Sequence, residues 1–208
     1  MSVAARWLVP ALWALFVVSA AWFLIGDLIF VAGRDPAEQG ARWFGYVGHV
    51  ASAVPVLAIA PLQFSGALRR AKPAVHRWLG RIFLGGAMLA GAFAVWLGAT
   101  MPIEGTQLPL MLFGLVWMGL AAIAWQAARR RDYVTHKAFV VRVFALATSF
   151  LWLHLLQEGE ETLFSFLESP ELRHATRGWL SLVGPLIAAE IWVSWGPAAL
   201  RLFRAPHQ

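Results

Sequence analysis

Two histidines of one apolar segment, His136 and His154, lie eighteen residues apart. An α-helix turns about 100° per residue, so both imidazoles are expected on one face, about 27 Å apart along the axis. This separation is close to the thickness of the hydrocarbon layer of a bilayer. Ionisable groups within a membrane are costly and usually mark a site, and neutral imidazole is a good iron ligand. The spacing therefore suggests haem bound near the two faces of a membrane.

A second pair of histidines, His49 and His76, brackets another apolar segment. We expect His49 and His154 to ligate one b-type haem near the outer face, and His76 and His136 to ligate an inner haem if two are bound. A haem held by two histidines has no open coordination position, so it would carry electrons rather than bind oxygen. The alternative is independent histidines, each hydrogen-bonded to backbone or water near an interface.

Charged residues surround the inner pair. Arg77 and Arg81 follow His76 and would neutralise haem propionates or anionic lipid headgroups, as cofactor-binding residues. Asp132 lies four residues before His136 and is expected to accept the Nδ1 hydrogen and orient the ring. The alternative is that these residues only anchor helix ends at the inner interface.

Glu190 falls near the middle of the last apolar span. A carboxylate at that depth is either protonated or paired. We predict it as the catalytic residue of a proton step, or as a hydrogen-bonding partner of a quinone or a histidine. Arg142, in the preceding span, is expected to snorkel to the inner face.

The composition is that of a membrane protein. The chain is 60% hydrophobic and 13% charged, whereas a soluble domain is about a quarter charged. It contains no Cys, which excludes disulfides and thiolate metal sites. Zinc-protease, Walker A and Gly-x-Ser-x-Gly patterns are absent too. Six apolar spans predict an all-α, polytopic bundle that forms one domain of residues 1–208; the spans are 7–31, 43–64, 82–101, 108–128, 138–156 and 179–203.

The basic residues predict the orientation. With both termini in the cytoplasm and an uncleaved first helix, 13 of the 17 Lys and Arg fall on the cytoplasmic side, as the positive-inside rule requires. These are Arg6, Arg69, Arg70, Lys72, Arg77, Arg81, Arg129, Arg130, Arg131, Lys137, Arg142, Arg201 and Arg204; the outside keeps Arg34, Arg42, Arg173 and Arg177. This distribution argues against nucleic acid as a partner and favours an integral protein of a bacterial inner membrane.

Two further patterns concern helix packing and the external connection. Gly80, Ala87, Gly91, Ala94 and Gly98 follow His76 on one face of the third span, which permits close helix packing or the approach of a flat macrocycle. The external connection 157–178 is acidic, and its 160–168 part is expected to form a short amphipathic helix that ends at Ser169-Pro170.

Several motifs resemble a bacterial family of predicted multi-helix membrane proteins known only as a domain of unknown function. The motifs are His49, Pro61-Leu62-Gln63-Phe64, the His-Arg-x-x-Gly-Arg sequence from His76 to Arg81, Asp132-x-x-x-His136 and Ala189-Glu190. The resemblance covers about residues 49–190 and implies a membrane protein, with no established chemistry. His154 is not a feature of that family. A broader resemblance to cytochrome b type transmembrane electron carriers concerns only the placement of histidines near both faces of a bundle.

Three functions remain open from the sequence. The first is electron transfer through one or two b-type haems, with a quinone or a redox protein as partner. The second is a proton-coupled transporter or channel that uses Glu190 and the histidines. The third is a structural or assembly subunit, in a homo-oligomer or a larger membrane complex. Intramembrane ionisable groups are functional by default, so electron transfer is the leading hypothesis.

Overall fold

The structure, a computed structural model, describes residues 3–33, 35, 37, 40–102 and 105–203; of residues 3–9, 30, 31 and 201–203 it describes the backbone only. It is 89% helical, and the described residues contain no strand. Among the described residues, six helical spans are long and apolar enough to cross a membrane. The prediction of an all-α bundle with six membrane spans is confirmed. Arg34 and Arg204, part of the predicted charge distribution, lie outside the described residues.

Consecutive helices run up and down through the bundle. Their bounds are α1 Val3–Ala32, α2 Ala41–Gln63, α3 Gly66–Ala71, α4 Pro73–Thr100, α5 Gln107–Arg129, α6 Tyr133–Ala147, α7 Ser149–Glu158, α8 Glu160–Leu163, α9 Pro170–Glu190, a π-helical segment Ile191–Trp195, and α10 Gly196–Phe203. We call the end with α8 and the start of α9 the acidic end, after Glu158, Glu160, Glu161, Glu168 and Glu171. The opposite end, with α3 and the α5–α6 turn, is the basic end.

Three helices begin at least five residues before the predicted apolar runs. Pro73 is the first residue of α4, Asp132 caps α6 by accepting a hydrogen bond from the Thr135 amide, and Ser169 caps α9. Charged residues and histidines stand between each start and the apolar run, so hydropathy does not detect the start, although capping residues and an initial proline favour helix starts. Ser169-Pro170 therefore begins a helix instead of ending one, and the amphipathic helix expected over 160–168 is limited to the short α8.

The fifth span is broken at Thr148. There the Thr148 hydroxyl donates to Ala145 O at 2.7 Å and the Ser149 hydroxyl donates to Leu146 O at 2.6 Å. Hydroxyls that bond back to the preceding turn compete with the helix ladder and bend helices. His136 on α6 contacts α5, whereas His154 on α7 contacts α1. The two rings thus have different neighbours, contrary to the single shared face predicted from their spacing.

The core lies between α2, α4, α5 and α6. Its largest fully buried side chains are Phe83, Val56 and Val143. Trp117 on α5 also belongs to this core and donates its indole N–H to Val143 O at 2.9 Å. Most other core positions are alanines, so the backbones approach closely, as is general for membrane helices.

The closest approach is between α4 and α5, where two glycines face each other. A Cβ added to Gly91 would lie 2.7 Å from Gly114 O, and one added to Gly114 would lie 2.6 Å from Gly91 O. Backbone cannot yield as a flexible side chain can. The small-residue face of the third span therefore serves helix packing at Gly91.

We expect Gly91→Ala to lower the free energy of unfolding by about 1–3 kcal/mol, because the added methyl must push α4 and α5 apart. The loss should occur although alanine has the better helix propensity by about 1 kcal/mol. Thermal unfolding in detergent measures it. Gly85→Ala is the matched control on the same helix, since its Cβ meets nothing within 4 Å. Equal stability of the two variants would contradict the packing described.

A π-helical segment, Ile191–Trp195, follows Glu190 directly. Pro197 explains it, because proline lacks an N–H and its ring excludes the carbonyl oxygen four residues earlier. A Cβ on Gly196 would lie 2.8 Å from Ile191 O, so the wider turn also needs glycine at that position. Such single-turn bulges are frequent near functional sites.

Candidate functional site: an apolar cavity with a few polar groups at the acidic end

A cavity of about 390 Å³ lies toward the acidic end of the bundle. Helices α1, α2, α4, α5, α6, α7 and α9 all contribute to its wall. Most of the lining is aliphatic or aromatic. The polar side chains on the wall are Asp27, Tyr46, His49, Thr106, Ser149, His154, His174 and Ser181. The structure thus brings the predicted outer pair, His49 and His154, into one cavity.

His49 is held from behind by the neighbouring helix. Its Nδ1 lies 2.9 Å from Ala90 O on α4. A carbonyl oxygen only accepts hydrogen bonds, so Nδ1 carries the hydrogen, and in the neutral ring Nε2 is an acceptor. Nε2 has no hydrogen-bond partner within the described part of the chain. His49 therefore offers the cavity a free acceptor in a fixed orientation.

His154 has an acceptor at each ring nitrogen. Nδ1 lies 2.9 Å from Phe150 O and Nε2 lies 3.2 Å from Asp27 Oδ1. Phe150 and Phe23 also pack against the ring, at centroid distances of 4.6 and 4.9 Å. An imidazolium paired with a carboxylate satisfies both contacts. The His154–Asp27 pair is therefore suited to hold one exchangeable proton at the cavity wall.

The tautomer of His174 is opposite to that of His49. Its Nδ1 lies 2.7 Å from Nη2 of Arg177, which is buried and also forms an ion pair with Glu160. A guanidinium only donates, so Nδ1 accepts, and the hydrogen of the neutral ring resides on Nε2. The Nε2–H group has no partner among the residues that the structure describes. His174 therefore offers the cavity a free donor.

The cavity as it stands does not fit a haem held by His49 and His154. The Nε2 atom of His154, which would bind iron, is committed to Asp27. An engineered cavity of about 150 Å³ binds benzene, so 390 Å³ corresponds to roughly two and a half such rings. A porphyrin with its four pyrroles is larger. No cluster of three or more metal-binding side chains occurs in the described ranges, but an axial haem pair needs only two, so the iron prediction stays untested.

The predicted inner pair lies at the basic end, outside the cavity. The Nδ1 atom of His76 is buried without a described partner. His136 Nδ1 lies 2.9 Å from Ala124 O. The prediction that Asp132 orients His136 is wrong, because Asp132 accepts from the Thr135 amide at 3.1 Å instead. These hydrogen bonds from Thr135 lower the pKa of Asp132 below its usual range.

Arg77 and Arg81 are exposed at the start of α4 and form no ion pair with any described residue. Their predicted role toward propionates or lipid headgroups therefore stays a prediction. They do not line the cavity.

Glu190 also lies away from the cavity, in a two-pronged ion pair. Arg142 Nε donates to Oε1 at 2.5 Å and Nη2 donates to Oε2 at 2.9 Å. Ser194, on the π-helical segment, donates to Oε2 at 2.9 Å. The expectation that Arg142 snorkels to the inner face is wrong, because its head group is tied to α9. The carboxylate is paired, which is one of the two states predicted for it.

The sequence interpretation missed three groups of this site. Asp27 lies near the end of the first span, where a carboxylate can reach the interface and does not stand out by sequence. His174 and Arg177 lie within the external connection predicted over 157–178. Recognising Ser169-Pro170 as a helix start would have placed His174 on α9, one turn before Arg177. No local pattern shows that α1 packs beside α7.

A family of known proteins matches the chain. The model of a family described as "Predicted membrane protein (DUF2306)" matches residues 46–193. No curated protein and no solved structure matches the chain. The matched range includes His49, His154 and His174 but not Asp27. Because the match covers more than half of the 208 residues, the chain belongs to the DUF2306 family of predicted membrane proteins.

Proposed function

We propose that this membrane protein binds a small amphiphile of the quinone class in the cavity at its acidic end. The ring and the start of the tail would occupy the apolar part, and the ring oxygens would meet the histidines. The His154–Asp27 pair would exchange a proton with the bound head group. One observation carries the proposal: three histidines and a carboxylate line a single apolar cavity.

The size and chemistry of the cavity support this ligand class. Ligand sites are commonly apolar clefts of about 300–1,000 Å³ with a few convergent polar groups, and the cavity has about 390 Å³. That volume suits one substituted ring and part of a tail. Ionisable groups within a membrane are costly and usually mark a functional site, and the paired Asp27 and His154 are such groups.

The packing of α1 supports entry from the bilayer. This helix contributes Leu24 and Asp27 to the cavity wall, yet only Ala20 is buried among its described side chains. A wall that is packed so lightly can open at low energetic cost. A lipid-soluble ligand would then reach the cavity sideways, without passing through water.

The same proposal includes an orientation. The basic end would face the cytoplasm of a bacterial inner membrane, because clusters of Lys and Arg are retained on that side. The cavity would then lie in the outer half of the membrane.

A b-type haem is the second candidate, favoured by the hydrogen bond between His49 Nδ1 and a backbone carbonyl, which is how ligating histidines are usually held. It would require His154 to leave Asp27 and the cavity to widen. Oxidised and reduced absorption spectra separate the candidates. A Soret band with sharp reduced α and β bands would establish the haem, and a colourless protein that binds a quinone would support the first candidate.

Ligand-induced stabilisation tests the proposal. A short-chain ubiquinone analogue at about 100 times its Kd should raise the unfolding free energy of the purified protein by about 2.7 kcal/mol. We expect His174→Ala, which removes the hydrogen-bond donor that a ring oxygen can use, to weaken this stabilisation strongly. His76→Ala, which changes a histidine outside the cavity, should retain it. The proposal fails if saturating analogue, oxidised or reduced, leaves the melting temperature of the wild-type protein unchanged.

A further inference from the structure

Resting on the proposed function, we infer that the cavity recognises the reduced, quinol form of its ligand, through an acceptor nitrogen on His49 and a donor nitrogen on His174. The inference comes from the partners of the two rings, which fix opposite tautomers. It adds to the binding proposal a preference for one redox state.

The acceptor is His49 Nε2. Its other nitrogen lies 2.9 Å from Ala90 O and must carry the ring hydrogen. Ala90 is fully buried in the core, so this carbonyl has no alternative donor from solvent. A ligand that meets Nε2 must therefore supply a hydrogen, which a hydroxyl does and a quinone carbonyl does not.

The donor is His174 Nε2–H. Its Nδ1 accepts from Nη2 of Arg177 at 2.7 Å. Arg177 is only 6% exposed and is paired with Glu160, so the guanidinium stays charged and stays in place. A ligand that meets this nitrogen must accept a hydrogen bond. Both a hydroxyl and a carbonyl can do so.

The two requirements together select the quinol. Its hydroxyls donate to one histidine and accept from the other, so both nitrogens are satisfied. A quinone satisfies His174 but leaves the acceptor of His49 facing a carbonyl oxygen without a hydrogen between them. A buried polar group without a partner is costly. Leaving the His49 acceptor unpaired is therefore expected to make quinone binding roughly tenfold weaker than quinol binding.

The test compares the Kd of decyl-ubiquinol and decyl-ubiquinone for the full-length protein in detergent, under anaerobic conditions. We expect the quinol to bind about tenfold more tightly to the wild-type protein. His49→Leu should reduce this ratio to near one, mainly through weaker quinol binding. His76→Leu, a histidine change outside the cavity, should leave the ratio unchanged.

The outcomes separate the two proposals. Equal affinities in the wild-type protein, or tighter binding of the quinone, would overturn the inference while the binding proposal stands. If neither form binds, the binding proposal itself fails. The wild-type ratio requires no variant, so the inference can be refuted even if His49→Leu does not fold.

Discussion

Replacing Ala53 by Phe should weaken binding of the quinone analogue by at least about tenfold. Ala53 on α2 lines the cavity, and a phenyl ring built there would occupy the volume that the ligand ring needs. The protein without ligand should be as stable as the wild type or more stable, because the new ring gains contacts in otherwise empty space. Ligand-dependent and ligand-free melting temperatures measure both effects.

Ala58→Phe is the matched control. It places the same side chain on the same helix, but Ala58 is exposed and lies outside the cavity. We expect normal ligand stabilisation in this variant. Undiminished binding by Ala53→Phe would show that the ligand occupies another place. A general loss of stability in both variants would argue that α2 does not tolerate the added volume anywhere.

Breaking the Arg142–Glu190 pair should destabilise the protein by about 2–4 kcal/mol. The Arg142 side chain is 13% exposed, and Glu190→Gln would leave its charge without a carboxylate partner. The double variant Arg142→Gln and Glu190→Gln should be more stable than the single Glu190→Gln variant, because no unpaired charge remains. A double-mutant cycle based on thermal unfolding measures the coupling.

Two results check that cycle. Glu161→Gln removes a carboxylate that is exposed and has no described partner, so we expect little change in stability. A different result would be a Glu190→Gln variant that unfolds like the wild type but loses ligand-dependent proton exchange. In that case Glu190 carries a proton, as the sequence suggested, and the ion pair does not stabilise the fold.

The apolar runs were sufficient to predict six spans, because crossing a bilayer requires about twenty apolar residues whatever the fold. They were insufficient for the helix starts at Pro73, Asp132 and Ser169, because charged residues and histidines precede the apolar run there and only a first-turn proline or a capping side chain marks the start. The break at Thr148 was not foreseen either. Thr and Ser occur in many unbroken helices, and their hydroxyls bend a helix only where they bond back to it.

The candidate site was predicted in part. Pairing His49 with His154 near one membrane face follows from depth alone, and both residues do line one cavity. Asp27 and His174 could not be added in that way, because their role depends on which helices are neighbours. The packing of α1 beside α7 joins residues more than a hundred positions apart, and a single sequence carries no local signal for it.

The most direct test of the cavity proposal is extraction of the protein as it is purified in mild detergent from its native membrane, with quantification of lipid-soluble quinones. We expect about one quinone-class molecule per polypeptide in the wild-type protein, a similar amount in Ala58→Phe, and close to none in Ala53→Phe. Equal background amounts in all three proteins would contradict it.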